Sequence, residues 1–232
     1  MVDANSSGVF PPVMKATVVP GAPRSRALSL PNLLTYSRIA AIPVVVACMY
    51  WQSILQGGLW LRWVALVIFI AAGITDFFDG YLARTWDQQS KLGRMLDPIA
   101  DKLLVASCLL MLAADETIKG WSLFAAIIIL CREILVSGLR EYLAELRVSV
   151  PVTQLAKWKT TIQLVAIGFL LCGEAGDTVL PHSVLAWRWK SGEDLIPLAN
   201  SVGLVLLWIS ALITLYTGWD YFRAGMRHLI ED

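Results

Sequence analysis

Six apolar stretches, each close to the length a helix needs to cross a bilayer, leave this chain of 232 residues one class of fold. They run from Ser37 to Ile54, Leu59 to Arg84, Asp97 to Ala114, Trp121 to Ala144, Trp158 to Cys172 and Leu198 to Phe222. A helix covers the hydrocarbon core in roughly 20 residues, and the third and fifth stretches need their polar ends to reach that length. The composition agrees: 57% of residues are hydrophobic and only 16% charged, and the mean hydropathy is +0.63. An ordinary soluble domain does not carry such an excess. The expected architecture is an all-α integral membrane protein with six transmembrane helices.

The ends of the chain and its loops give the orientation. Residues 1–27 hold Ser, Pro, Gly and Val without helical period and read as a disordered tail ahead of a single domain over 28–232. No basic-then-apolar leader with a small-residue cleavage site occurs there, so the N-terminus is expected to stay where it was made. Leu28 to Tyr36, with Pro31 and Asn32 as start signals, suits a short helix lying along the membrane surface. If six spans alternate, Arg24, Arg26 and Arg38, then Arg84, Lys91 and Arg94, then Arg140, Arg147, Lys157 and Lys159, and finally Arg223 and Arg227 share one side. Gln52–Gly58 is uncharged and Asp115–Gly120 has one lysine, although the outer loop 173–197 carries Arg188 and Lys190. That bias puts both termini in the cytoplasm. The outer loop is long for a structureless connection, and its Trp187 and Trp189 suit a short interfacial helix. Cys48, Cys108, Cys131 and Cys172 all fall in apolar stretches and read as buried small side chains, with no disulfide or zinc spacing. His182 and His228 lie far in sequence from the acidic residues.

Against this apolar background four carboxylates recur where two helices should meet: Asp76 and Asp79, then Asp97 and Asp101. Spacings of three and four put each pair on one face of its own helix. The polar segment between them contains Gly93 and is expected to turn the chain, bringing the two faces into one pocket. Unneutralised, such carboxylates repel one another strongly. Oxygen ligands without histidine or cysteine suit a hard ion, Mg²⁺ or Mn²⁺, and four of them suit two ions. A pair of ions about 3.5 to 4 Å apart clamps a phosphoryl group during in-line displacement. The plainer reading has the aspartates capping helices and pairing with Arg84, Lys91 and Arg94; carboxylates at membrane depth favour function.

A second polar group lies in the fourth stretch. Glu133 and Arg140 are seven apart and share a face, while Arg132 lies about 80° from Arg140 around the helix. Glu133 can pair with one arginine, which leaves the other. With Lys157 and Lys159 opening the fifth stretch, positive charge is in surplus beside an acidic site, as an anionic acceptor requires. Ordinary positive-inside placement explains Arg147 better than Arg132.

Asp76, Asp79, Gly80, Ala83, Arg84, Gly93, Asp97 and Asp101 together resemble, at every fixed position, the signature of the CDP-alcohol phosphatidyltransferases, membrane enzymes of phospholipid synthesis. Asp-x-x-Asp alone would not, since prenyl-transferring enzymes and many helix starts carry it. The resemblance implies the CDP-alcohol phosphotransferase fold, with Asp76, Asp79, Asp97 and Asp101 holding two Mg²⁺ or Mn²⁺ ions. It makes Asp101 the candidate general base as well; ligand and base roles stay open, because carboxylates sharing two ions titrate as a coupled set. It assigns Gly80, Ala83, Arg84 and Gly93 to the CDP-diacylglycerol pocket, although Ala83 would equally serve helix packing and Arg84 could pair with Asp79 or Asp87.

The runs Pro31–Arg38, Arg132–Glu141 and Lys157–Thr161 look like the bacterial branch of that family that makes phosphatidylglycerophosphate. That likeness extends from residue 30 to about 225 and assigns Asn32, Arg38, Arg132, Arg140, Lys157 and Lys159 to the acceptor, sn-glycerol 3-phosphate. It also implies a homodimer in the bacterial cytoplasmic membrane, with lipid and small-molecule partners and no nucleic acid. Serine, an inositol phosphate or phosphatidylglycerol are alternative acceptors, and the basic residues argue against serine. A Mg²⁺-dependent membrane prenyltransferase should carry a second aspartate-rich loop within 150–232, where none occurs. A transporter should spread its ionisable residues across mid-membrane instead of gathering them at one edge.

Overall fold

The computed structural model describes residues 30–86, 91–145, 154–179, 190–191 and 194–230. The expected tail over 1–27 and the Trp187–Trp189 helix lie outside these. Each apolar stretch forms one long helix: α1 Leu30–Ser53, α2 Trp60–Trp86, α3 Lys91–Ala114, α4 Ser122–Glu145, α5 Gln154–Asp177 and α6 Leu198–Ile230. Of the expected outer loop 173–197, residues 173–177 continue α5, and β1 Lys190–Ser191 and β2 Asp194–Leu195 form a two-residue antiparallel pair with Lys190 opposite Leu195. Among the described residues, three segments are long and apolar enough to cross a membrane: Leu33–Ser53, Ser122–Leu143 and Leu198–Arg223.

Packing order departs from chain order. α1 lies against α2 and α3, α5 against α2 and α6, and α4 against α6, while the consecutive helices α3 and α4 touch little. Val45, Met49, Phe69, Leu104, Leu112, Ile129, Ile167, Leu170 and Leu207 form the common core. α5 and α6 approach closely at Gly203, where a Cβ would stand 2.7 Å from Leu170 Cγ; small residues let membrane helices meet in this way. Outward, Trp60, Val67, Leu110, Ile134, Leu212 and Trp219 are largely exposed. In water that surface would be costly, and against acyl chains it is not.

Three expectations change. Leu28–Tyr36 is not a separate surface helix, because α1 runs unbroken from Leu30 and buries Thr35 and Arg38 in the bundle. Gly93 is not in a turn between helices: it is buried in the first turn of α3, and residues 87–90 of the expected turning segment lie outside the described residues. Cys131 is exposed on the outward face of α4, whereas Cys108 is buried and Cys48 and Cys172 are half-buried; all four are free thiols.

The end of the bundle opposite Asp76 is held by a buried ion pair. Arg62 Nη2 lies 2.8 Å from Asp115 Oδ2, with the two side chains 5% and 3% exposed. Arg62 also donates to Thr117 Oγ1 at 2.8 Å and, through Nε, to the Leu171 carbonyl at 3.2 Å. The Thr117 N–H donates to Asp115 Oδ1 at 3.0 Å. Room for the guanidinium comes from Gly173, which breaks α5 with φ 47° and ψ −132°; a Cβ there would stand 3.0 Å from Arg62 Cζ. Few residues other than glycine take that backbone conformation.

Candidate active site

The acidic site forms where α1 crosses the polar ends of α2 and α3. Thr35 and Arg38, three residues apart on one face of α1, reach the aspartates of the other two helices. Arg38 Nη1 lies 2.8 Å from Asp76 Oδ1 and 2.8 Å from Asp101 Oδ1, and Thr35 Oγ1 donates to Asp97 Oδ1. Asp76, Asp97 and Asp101 thus come from two helices to one place. Arg38, assigned above to the acceptor, has two of these aspartates as described partners. Its side chain is fully buried, and burying a guanidinium is unfavourable unless carboxylates offset the lost hydration. Those carboxylates are 45% and 48% exposed, so each keeps an open side. A carboxylate has two acceptor oxygens, and in the described ion pairs Arg38 meets Oδ1 of each.

Asp79, Gly80, Ala83 and Arg84 continue along α2, Asn32 lies in α1 and Lys157 in α5; their side chains lie outside the described residues. Among the described residues no three carboxylate, thiol or imidazole groups are gathered tightly enough to hold one ion. The donor chemistry nevertheless fits a hard divalent cation. Only oxygens are offered, by Asp76, Asp97 and Asp101, and a positive charge, the Arg38 guanidinium, already sits between two of them.

The basic residues form a second group joining α4, α5 and α6. Glu133 accepts from Arg132 Nη1 at 3.2 Å and from Lys159 Nζ. Arg132 Nη2 donates to Thr217 Oγ1 at 3.1 Å. Arg140 is exposed and lies over the Tyr221 ring, 5.7 Å from its centroid, within reach of a cation–π attraction. The single Glu133–arginine pair expected above becomes one carboxylate serving two cations, so the positive surplus survives. Lys102 Nζ, beside Asp101, donates to Ser137 Oγ and links α3 to α4. Sequence reasoning missed Thr35, Lys102, Thr217 and Tyr221. Thr35 was legible from its three-residue spacing to Arg38; Thr217 and Tyr221 lie some 80 residues from their partners, and no local pattern marks them.

A groove of about 700 Å³ opens sideways between α2 and α5, lined by Leu66, Phe69, Ile70, Gly73, Ile74, Leu164, Val165, Gly168, Phe169 and Cys172. Gly73 and Ile74 fall within one turn of Asp76, so the groove's lining reaches the turn of α2 that carries this carboxylate.

The chain is similar over most of its length to known proteins. It is 40% identical over 222 residues, 88% of this chain and 98% of the relative, to a CDP-diacylglycerol--glycerol-3-phosphate 3-phosphatidyltransferase of Cereibacter sphaeroides. It is 42% identical over 200 residues, 86% of this chain and 97% of the relative, to a protein of the same description from Rickettsia bellii. A third, from Pectobacterium atrosepticum, is 34% identical over 205 residues, 88% and 98% of the two chains. The family model for CDP-alcohol phosphatidyltransferase matches residues 28–216, a range containing all four aspartates and the basic residues of α4 and α5. With its eight signature residues in place across α2 and α3, the chain belongs to the CDP-alcohol phosphatidyltransferase family.

Proposed function

We propose that this protein transfers the phosphatidyl group of CDP-diacylglycerol to the 1-hydroxyl of sn-glycerol 3-phosphate, giving phosphatidylglycerophosphate and CMP. The observation that carries the reading is the meeting of Asp76, Asp97 and Asp101, with an apolar α2–α5 groove whose lining comes within three residues of Asp76 along α2. A liponucleotide has the same layout, with acyl chains joined to a diphosphate. The activity named for the relatives supports it.

In this reading the acyl chains lie along Phe69, Ile70 and Phe169 in the groove, and the diphosphate meets the carboxylate end. Two divalent cations, bound by Asp76, Asp79, Asp97 and Asp101, would neutralise the diphosphate and the departing CMP phosphate. Gly80, Ala83, Arg84 and Gly93 face the cytidine and its phosphates. Arg38 and Thr35 hold Asp76, Asp101 and Asp97 in register, so the repulsion among them is balanced before substrate arrives. The acceptor hydroxyl attacks the phosphatidyl phosphorus, the bond from that phosphorus to the CMP oxygen breaks, and Asp101 takes the hydroxyl proton. Arg140, Lys157 and Lys159 hold the acceptor phosphate, for which guanidinium and ammonium donors suit. All six helices span the bacterial cytoplasmic membrane, with both termini and the site on the cytoplasmic side, and the protein works as a homodimer.

The test offers purified protein CDP-diacylglycerol and Mg²⁺ with glycerol 3-phosphate, an inositol phosphate, serine or phosphatidylglycerol in turn. Glycerol 3-phosphate should be strongly preferred, and chelation should abolish turnover until Mg²⁺ or Mn²⁺ is restored. Preference for another acceptor overturns the substrate assignment, and full activity after exhaustive chelation overturns the role given to the aspartates.

A further inference from the structure

The basic group is not held by α4 and α5 alone, because its inner anchor is on α6. Arg132 reaches across to α6 and donates to Thr217 Oγ1 at 3.1 Å, while its other terminal nitrogen holds Glu133 at 3.2 Å. Glu133 in turn receives the Lys159 ammonium. Thr217 is buried, and its hydroxyl proton points back to the Ile213 carbonyl at 2.9 Å or that of Thr214 at 3.2 Å. With its proton committed to the helix backbone, the oxygen presents a lone pair to the guanidinium. The neighbouring residue gives Arg132 its path. A Cβ on Gly218 would stand 2.9 Å from Arg132 Cγ and 3.3 Å from its Nε. The nearest of these atoms, Cγ, moves only with χ1, so relieving the contact means swinging the whole Arg132 side chain.

We propose that Thr217 and Gly218 are positioning residues for the acceptor phosphate. Through Arg132 and Glu133 they set where the Lys159 ammonium stands. An ammonium has three donors and Glu133 takes one, so a shift of Glu133 moves the direction in which the others point. The inference rests on the acceptor-site reading of Lys159 given above and extends it to a helix that carries none of the signature residues.

Steady-state kinetics on the purified enzyme test it, with each substrate varied while the other is saturating. Thr217→Val keeps the shape and loses the acceptor oxygen. It should raise the KM for glycerol 3-phosphate roughly five- to tenfold, less than the tenfold or more that a hydrogen bond to a charged group is worth, because the lost bond acts through Arg132 and Glu133. The liponucleotide KM and kcat should stay within about twofold. Thr217→Ser should restore the acceptor KM, and Gly218→Ala should raise it as Thr217→Val does. In a Lys159→Gln background Thr217→Val should add nothing, because the two changes act through one group. Additive losses, or an equal rise in both KM values, overturn the proposal. Lys159→Gln with an unchanged acceptor KM overturns the acceptor-site reading beneath it. Should Gly218→Ala fail to fold, the Val and Ser pair at Thr217 still decides.

Discussion

Replacing Arg62 by leucine isolates a buried ion pair outside the candidate active site. The Arg62 and Asp115 side chains are 5% and 3% exposed, so neither can recover hydration when its partner is removed. In Arg62→Leu the Asp115 carboxylate stays buried with only the Thr117 N–H as a described partner, and Leu171 and Thr117 lose a donor each. Removing one member of a buried pair costs about 3–5 kcal/mol, on the order of 10 °C in thermal midpoint. The double variant Arg62→Leu/Asp115→Leu removes the uncompensated charge. It should be more stable than Arg62→Leu, with a residual loss of about 1 kcal/mol for each of the Leu171 carbonyl, the Thr117 hydroxyl and the Thr117 N–H. The assay is tryptophan fluorescence on heating in one detergent, for wild type, both single variants and the double. Turnover below the transition should be unchanged, since Arg62 lies at the end of α2 remote from Asp76. A single variant losing less than about 1 kcal/mol, or a double variant less stable than the sum of the singles, would refute the reasoning.

Two further outcomes concern the site itself. Arg38→Gln withdraws the positive charge between Asp76 and Asp101; because both carboxylates are about half exposed, the stability loss should be only about 1–2 kcal/mol. At saturating substrates kcat should fall by at least about tenfold, and an unaltered kcat would show that Arg38 only fills space. Arg140→Ala removes an exposed cation poised over Tyr221 and should raise the glycerol 3-phosphate KM far more than the liponucleotide KM. Equal losses for both substrates would indicate a folding defect.

Much of this protein was legible before any coordinates. Apolar runs of bilayer length specify helices because hydrophobic length and helical rise are local quantities, and six such runs became α1 to α6. Helical spacing likewise placed Asp97 and Asp101 on one face, and the signature carried the family. Where the reading failed, a partner distant in sequence was responsible. Leu30–Tyr36 belongs to the bundle because Thr35 and Arg38 find Asp97, Asp76 and Asp101 more than 35 residues away. Cys131 is exposed because α4 packs on α6 and leaves that side outward.

The amino-acid order by itself determined which segments are helical and which residue types could bind a phosphorylated lipid substrate, since both follow from periodicity and side-chain chemistry. Tertiary structure alone decided which charges meet. It put Arg38 between two aspartates, gave Glu133 two cations, and brought Thr217 to Arg132 across 85 residues. Charges in an apolar bundle pair with whatever packing brings within about 3 Å, and packing is a property of the whole chain.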